Sequence, residues 1–191
     1  MTIRKVACAV LCLCQLLASA GNAEPAEGCE DAAQNIVSEL RGGVLAHDVD
    51  HLWSGFRREN GIDWNGEIVF YRPGLPILWG RLRPMLGASI NSRGDTSKAY
   101  AGALWELEWS TGIFFSAGLS AAIHDGRLDS RTRKDQKELG TRVLFRTSFD
   151  LGYSFNRHHR LMATFAHVSN ASRADPNQGL DTVGARYGFR F

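Results

Sequence analysis

Beyond its first 23 residues, the chain has little cysteine, no long apolar run and no excess charge of either sign. Three of the four cysteines, Cys8, Cys12 and Cys14, fall within residues 1–23, so only Cys29 remains in the rest of the chain. A single thiol excludes an intramolecular disulfide. Without a stretch of roughly 20 apolar residues, a membrane-spanning helix is excluded, whereas a membrane-spanning barrel is not.

The balanced charge and the absence of ligand clusters narrow the function classes. Residues 1–23 contain two of the 22 basic residues and no acidic one, so residues 24–191 balance 20 basic against 20 acidic side chains. A neutral chain argues against nucleic-acid binding. No cluster of His, Cys and Asp has metal-ligand spacing, and no glycine-rich phosphate loop follows a strand. Neither a metal nor another cofactor is therefore predicted.

The first residues have the pattern of a secretory signal peptide. Two basic residues precede an apolar run over residues 6–18, and small residues follow as far as Ala23. Cleavage after Ala23 fits this pattern, and cleavage after Ala20 fits it equally well. We therefore predict an exported protein with a signal peptide over residues 1–23 and one domain over residues 24–191.

Apolar residues alternate with polar or small ones in segments of about ten residues, as in strands with lipid on one side and a barrel interior on the other. In the segment 141–155, Val143 and Phe149 share one parity and Arg146 and Asp150 share the other. A soluble barrel or sandwich would show the same alternation, because parity does not tell which face is inside. The eight predicted strands are 36–47, 64–71, 78–90, 100–109, 113–123, 141–155, 160–169 and 180–191.

The connections between these segments alternate in length. Short turns at one end and longer loops at the other are typical of outer-membrane barrels, in which an even number of strands closes an up-and-down barrel. The short connections are 73–76, 110–111 and 156–159, and the longer polar ones are 48–63, 91–96, 124–139 and 170–179. The sequence thus predicts an all-β fold, an eight-stranded antiparallel transmembrane β-barrel in a bacterial outer membrane.

Two further features agree with this fold. An eight-stranded barrel has an interior that side chains fill, so the polar parity is predicted to plug it. The predicted plug consists of Glu106, Glu108, Arg142, Arg146 and Asp150. The chain also ends on Phe191, with Tyr187 and Phe189 before it at period two, and this ending resembles the assembly signal of bacterial outer-membrane barrels.

A histidine and a serine interrupt the apolar side of the seventh predicted strand. His167 and Ser169 stand at i and i+2, which places them on one side with Cα atoms about 6.5 to 7 Å apart. The hairpin to the last strand brings Asp181 beside them on the same side. A serine becomes a strong nucleophile when a base takes its proton and a carboxylate orients that base. These residues therefore predict a Ser-His-acid site at the outer end of the barrel, where lipopolysaccharide would arrive laterally.

The sequence around these residues resembles a known family. His-Val-Ser-Asn-Ala at 167–171 and Pro-Asn-Gln-Gly-Leu-Asp at 176–181 are similar to the C-terminal signature of the PagL family of lipid A 3-O-deacylases. Gly-Gly-Val-Leu-Ala-His-Asp at 42–48 is similar to the family as well. The resemblance implies a serine esterase that hydrolyses the ester-linked acyl chain at the 3-position of lipid A in the outer leaflet, among outer-membrane lipids.

The resemblance also implies individual roles. His167 would be the base, Ser169 the nucleophile and Asp181 the acid, at a position where better-known members of the family have Glu. Asn170 and Asn177 match family positions, and an amide or backbone N–H there would stabilise the oxyanion of the tetrahedral intermediate.

Several alternatives remain open at this point. A non-enzymatic barrel of the OmpA or OmpX kind, acting as an anchor or adhesion surface, is the main one. A PagP-like acyltransferase would take an acyl chain into the barrel, which a charged interior opposes, and a soluble lipocalin-like carrier would need an apolar interior. The sequence also leaves open whether the barrel forms a homodimer.

Other polar residues favour structural interpretations. His47 and Asp48, at the top of the first strand, are more readily explained by structure than by a place beside the site. The basic loop 127–137 is interpreted as solvated, with contact to lipid A phosphates as the weaker alternative.

Overall fold

The computed structural model of the chain describes residues 36–71, 76–129 and 136–191. The predicted signal peptide, its cleavage site and Cys29 lie outside the described residues. In the described ranges, no helix is long and apolar enough to cross a membrane. The strands are β1 (Val37–Ala46), β2 (Ile62–Phe70), β3 (Pro76–Ile77), β4 (Gly80–Asn91), β5 (Lys98–Glu108), β6 (Ile113–His124), β7 (Val143–Ser154), β8 (His159–Ser169) and β9 (Leu180–Arg190).

The eight long strands form a closed antiparallel barrel. Each strand pairs with its neighbour along the chain, and β1 pairs with β9 to close the sheet. The two-residue strand β3 lies at the turn before β4, so β2 pairs directly with β4. The predicted fold is therefore confirmed, with each predicted strand shifted by at most a few residues. Only β3 was not predicted, because two residues are too few to show a period.

The apolar parity faces outward and the charged parity faces inward. On β7, Leu151 is 61% exposed, whereas Arg146 and Asp150 are each 1% exposed. Leu119 on β6 is as exposed as Leu151. A soluble barrel would bury these leucines, so the apolar exterior shows a barrel built to face lipid.

The interior is filled by ion pairs, several of which cross the barrel between strands that are not neighbours in the sheet. Arg41 on β1 lies at its centre, 3.0 Å from Asp150 and 2.9 Å from Glu106. Because ions buried without partners are costly, such a network is stable only when its charges are matched. Further members are Glu39, Glu67, Arg83, Arg160 and Arg186.

Two members of the predicted plug lie elsewhere. Arg142 precedes β7, is exposed, and donates hydrogen bonds to the carbonyls of His124 and Gly126. The prediction that Arg142 lies in the plug was wrong because β7 begins one residue later. The first inward position of β7 is occupied by Leu144. Glu108 lies at the end of β5 with its side chain 30% exposed, and it pairs with Arg190 at 2.6 Å at the barrel rim.

Candidate active site

Two polar side chains meet on the apolar outer face of the barrel. His167 on β8 is directly opposite Asp181 on β9 in the antiparallel register. The imidazole Nδ1 lies 2.6 Å from Asp181 Oδ1, and the carboxylate is fully buried. An ionised carboxylate at this distance accepts the Nδ1–H hydrogen bond, which fixes the tautomer and leaves Nε2 able to take a proton.

Ser169 lies two residues beyond His167, at the end of β8 and on the same side of the sheet. Its partner across the β7–β8 pair is Phe145, which also faces outward. The serine side chain is partly exposed, so an incoming substrate can reach it. The strand period alone therefore gives the serine and the histidine a common side.

A small apolar cluster supports the site from inside the barrel. Val168 and Leu180 point inward from the positions next to His167 and Asp181, and they pair across β8 and β9. They pack with Leu144 of β7 and with Leu139 of loop 3, which comprises residues 125–142. Close packing behind the sheet limits movement of the two backbones that carry the polar pair.

Asn170 begins loop 4, residues 170–179, and its side chain is buried. The amide Nδ2 is within hydrogen-bond distance of the carbonyls of Leu139, Ala174 and Pro176, at 2.9 to 3.1 Å. The backbone N–H of Asn170 donates to Oδ1 of Asn177 at 3.0 Å. Through these contacts, Asn170 and Asn177 stabilise the conformation of the backbone that follows Ser169.

Loop 1, residues 47–61, reaches over the site from the other side. The indole of Trp53 stacks on the imidazole of His167, with centroids 4.8 Å apart and planes 22° apart. The backbone N–H of Ser54 donates to Asp181 Oδ2 at 2.6 Å. Each oxygen of the Asp181 carboxylate therefore has its own partner, one in β8 and one in loop 1.

Gly179, the last residue of loop 4, lies between these groups. Its φ of +61° is strained for a residue with a Cβ. A Cβ there would also lie 3.0 Å from Cε1 of His167 and 3.5 Å from Cβ of Ser54. Glycine thus allows loop 1 and the imidazole to approach each other.

The base of loop 1 contains a buried histidine between two carboxylates. His47 Nδ1 lies 2.7 Å from Asp63 and Nε2 lies 2.8 Å from Glu59. Two acceptors require both ring nitrogens to carry a proton, so the ring is an imidazolium. Burial lowers the pKa of His47, but the hydrogen bonds to Asp63 and Glu59 outweigh it and set that pKa above its ordinary value.

A buried lysine joins loop 1 to loop 3. Lys137 Nζ lies 3.4 Å from Asp48 Oδ1 and 3.8 Å from the ring centroid of Phe56, and it also donates to the Phe56 carbonyl. Burial is the main cause that lowers the pKa of Lys137 below its ordinary value, while Asp48 raises it in part.

Glu59 also contacts both parts of this anchor. Burial alone would raise the pKa of Glu59, but the hydrogen bonds from His47 and from the Lys137 backbone N–H set that pKa below its ordinary value.

The structure thus pairs His167 with Asp181 and places Ser169 on the same side of β8, but it gives His47 and Asp48 a different place. These two anchor loop 1 and do not touch the polar pair. Trp53 and Ser54 contact the site and were not predicted, because a tryptophan in a polar loop has no period that would reveal its partner. Among the described residues, no group of His, Cys, Asp and Glu is arranged to hold a metal ion.

Comparisons with known proteins agree with these observations. The family model described as lipid A 3-O-deacylase (PagL) matches residues 77–190. The lipid A deacylase PagL of Bordetella bronchiseptica is 32% identical over 121 residues, which is 59% of this chain. The match spans 65% of that relative's length.

Solved structures share the barrel. The crystal structure of the outer membrane enzyme PagL superposes with a TM-score of 0.61 and 18% identity, covering 81% of this chain and all of the other. The N-terminal β-barrel domain of Pseudomonas aeruginosa OprF gives a TM-score of 0.51 and 15% identity, covering 83% of this chain and 98% of the domain. At these identities the likeness concerns the fold.

Proposed function

The chain belongs to the PagL family of lipid A 3-O-deacylases, and from this premise we propose that it hydrolyses the ester-linked acyl chain at the 3-position of lipid A. The observation that carries the proposal is the 2.6 Å contact between His167 and Asp181, beside Ser169, on the lipid-facing surface. Polar groups on a lipid-facing surface are costly and therefore rare, and those that occur commonly mark a functional site. A Ser-His-acid esterase gives it one.

The proposed reaction begins with Ser169. Its Oγ attacks the ester carbonyl carbon while His167 Nε2 takes the hydroxyl proton, and Asp181 stabilises the imidazolium that forms. The tetrahedral intermediate then expels the sugar oxygen, which takes the proton from His167. A water molecule attacks the acyl-serine with His167 again as base, and collapse of the second intermediate releases the fatty acid and restores the serine.

The asparagines have a supporting role in this proposal. Asn170 holds the loop after the nucleophile, since its amide Nδ2 lies within hydrogen-bond distance of three carbonyls. Asn177 is exposed, and its Nδ2 has only a long 3.4 Å contact with Ser172. Its amide is thus the better candidate for donating to the oxyanion.

The proposed location is the outer membrane, with the long loops outside. Exposed leucines, the barrel closure and the family support it. The site lies at the loop end of the outer face, so lipid A in the outer leaflet would reach Ser169 by lateral diffusion. Association into a homodimer is not required, because each barrel carries its own His167, Ser169 and Asp181.

The alternative functions fit the interior less well. A PagP-like acyltransferase or a lipocalin-like carrier would need space for an acyl chain inside the barrel, where Arg41 and its carboxylates lie. A purely structural barrel would have no use for a buried aspartate paired with histidine on the lipid side. The esterase is therefore the best-supported function.

The test is mass spectrometry of lipid A from cells that express the wild type, Ser169→Ala or Ser148→Ala at equal outer-membrane levels. Ser148 is an interior serine of β7 that accepts a hydrogen bond from Arg146, so it is a matched control. We expect the wild type and Ser148→Ala to remove one hydroxyacyl group, with fragment ions assigning it to the 3-position, and Ser169→Ala to leave lipid A intact. Hydrolysis by Ser169→Ala, or none by the wild type in membranes and in detergent, would refute the proposal.

A further inference from the structure

Loop 1 supplies two groups that contact the polar pair, and both come from consecutive residues. Trp53 covers one face of the His167 ring, and the Ser54 N–H donates to the Asp181 oxygen that His167 does not use. A third contact joins the backbones, where Val49 N–H donates to the Asp181 carbonyl at 3.0 Å. The loop therefore restrains both members of the pair.

The loop itself is anchored at its base by buried charges. Asp48 Oδ2 accepts the backbone N–H groups of Arg58 and Glu59 at 2.6 and 2.9 Å, which closes the loop on itself. His47 joins Glu59 to Asp63 of β2, and Lys137 ties Asp48 to loop 3. With both ends fixed, the tip at 53–54 has a defined position although Trp53 is 60% exposed.

A carboxylate with one free oxygen could rotate away from the imidazole. In the antiparallel register, Asp181 approaches His167 from the neighbouring strand, and the β8–β9 pairing fixes only the Cα positions. The Ser54 N–H removes the remaining rotation about the last side-chain bond, and the stacked indole limits tilting of the imidazole. Misplacing a base and its orienting acid lowers the reaction rate by roughly a hundred-fold.

Resting on the proposed esterase, we propose that loop 1 is part of the active site and that Trp53 and the Ser54 N–H are positioning groups that hold His167 and Asp181 in the reactive arrangement. Neither group takes or gives a proton in the reaction. Their effect passes through the pair, so it should appear in kcat and depend on the presence of Asp181.

The experiment measures hydrolysis of lipid A in mixed detergent micelles by the purified full-length barrel. Ser54→Pro removes the backbone N–H and Ser54→Ala retains it, so these two variants form a matched pair. We expect Ser54→Pro to lower kcat by about a hundred-fold with little change in KM, and the conservative variant Ser54→Ala, which keeps the N–H, to lose much less. For Trp53→Ala we expect a fall in kcat of about ten-fold, largely restored in Trp53→Phe because a ring can still stack.

Trp64→Ala is the control for loss of a tryptophan. Trp64 lies on β2, faces outward and is 59% exposed, close to the value for Trp53, and β1 separates its strand from β9, which carries Asp181. We expect Trp64→Ala to keep kcat. Migration of the folded barrel in unheated SDS gels checks that every variant is folded, and kcat is expressed per folded barrel.

A double-mutant cycle separates positioning from a general structural effect. If Ser54 acts through Asp181, Ser54→Pro should cause almost no further loss in the Asp181→Asn background, because interacting residues are not additive. Equal losses in both backgrounds, or wild-type kcat in folded Ser54→Pro and Trp53→Ala, would overturn the inference. Activity in Ser169→Ala would instead overturn the esterase itself, so the two failures are distinguishable.

Discussion

The inner and outer surfaces of the barrel each bury an aspartate, and the two aspartates have different neighbours. Asp150, inside, accepts from Arg41, Arg186 and Thr164 in a network that spans the interior. Asp181, outside, has one imidazole and one backbone N–H beside it on an apolar face. The interior charges shown here pair with one another, whereas the outer pair leaves Nε2 of His167 able to take a proton. Burial therefore does not distinguish the two aspartates; what differs is the face of the barrel on which each lies and, with it, the kind of neighbour.

The largest effect should come from replacing one carboxylate oxygen by an amide NH2 at Asp181, compared with the same replacement at Asp150. Asp181→Asn is expected to lower kcat by about 10⁴-fold, as for an orienting aspartate in a serine triad, with modest loss of stability. Asp150→Asn should keep activity per folded barrel and lower the free energy of unfolding by about 3 kcal/mol or more. Hydrolysis of lipid A and urea unfolding in micelles measure the two effects, and an active Asp181→Asn variant would break the comparison.

Removal of the central interior cation should be the next largest effect. Arg41→Met removes the cation that contacts four interior carboxylates at once, so we expect the free energy of unfolding to fall by about 3–5 kcal/mol. The kcat of the fraction that still folds should not change, because Arg41 lies inside the barrel wall. The same urea titration checks this, and a lower kcat in folded Arg41→Met would mean that the two sides are coupled.

The anchor of loop 1 should respond to pH. The pKa of His47 is raised in the folded chain, so its contribution to stability is full below the unfolded pKa of about 6.5 and is lost as pH rises through the folded value. The groups that face it are Glu59 of loop 1 and Asp63 of β2, with Lys98 of β5 and Lys137 of loop 3 behind them.

Urea unfolding between pH 5.5 and 9, in steps of about half a unit around the His value, should show this decline in the wild type. His47→Gln should lack that part of the pH dependence, because Gln does not titrate. An identical pH profile in both proteins would show that His47 does not carry a proton there.

The smallest effect should come from an arginine that lies outside the plug. Arg142 donates to two loop carbonyls in an exposed setting, so Arg142→Ala should cost about 1 kcal/mol or less. Its interior neighbour Arg146 is stacked 3.9 Å from the Tyr100 ring and is fully buried. If Arg142→Ala destabilised the barrel as strongly as Arg146→Met, the boundary between rim and interior would have to be moved.

Much of the fold could be predicted because the alternation of apolar and polar residues in strands and the lengths of the loops are visible in the amino-acid sequence. Residues such as Leu151 and Arg146 differ in parity, and the eight segments and their connections follow from that period. The pairing of His167 with Asp181 followed from the same rule, since a hairpin of known ends places partners opposite each other. The catalytic role of these residues stays a prediction that the tests above address.

The sequence by itself determined the number of long strands, the two-sided pattern and the common side of His167 and Ser169, since these depend on a period of two residues. Only the tertiary structure decided which side faces outward, because parity is the same for either choice. It also decided that Trp53 and Ser54 meet His167 and Asp181, and that His47 anchors loop 1. The contacts of Trp53 and Ser54 join residues more than a hundred positions apart through an irregular loop, and no local periodicity encodes where that loop ends.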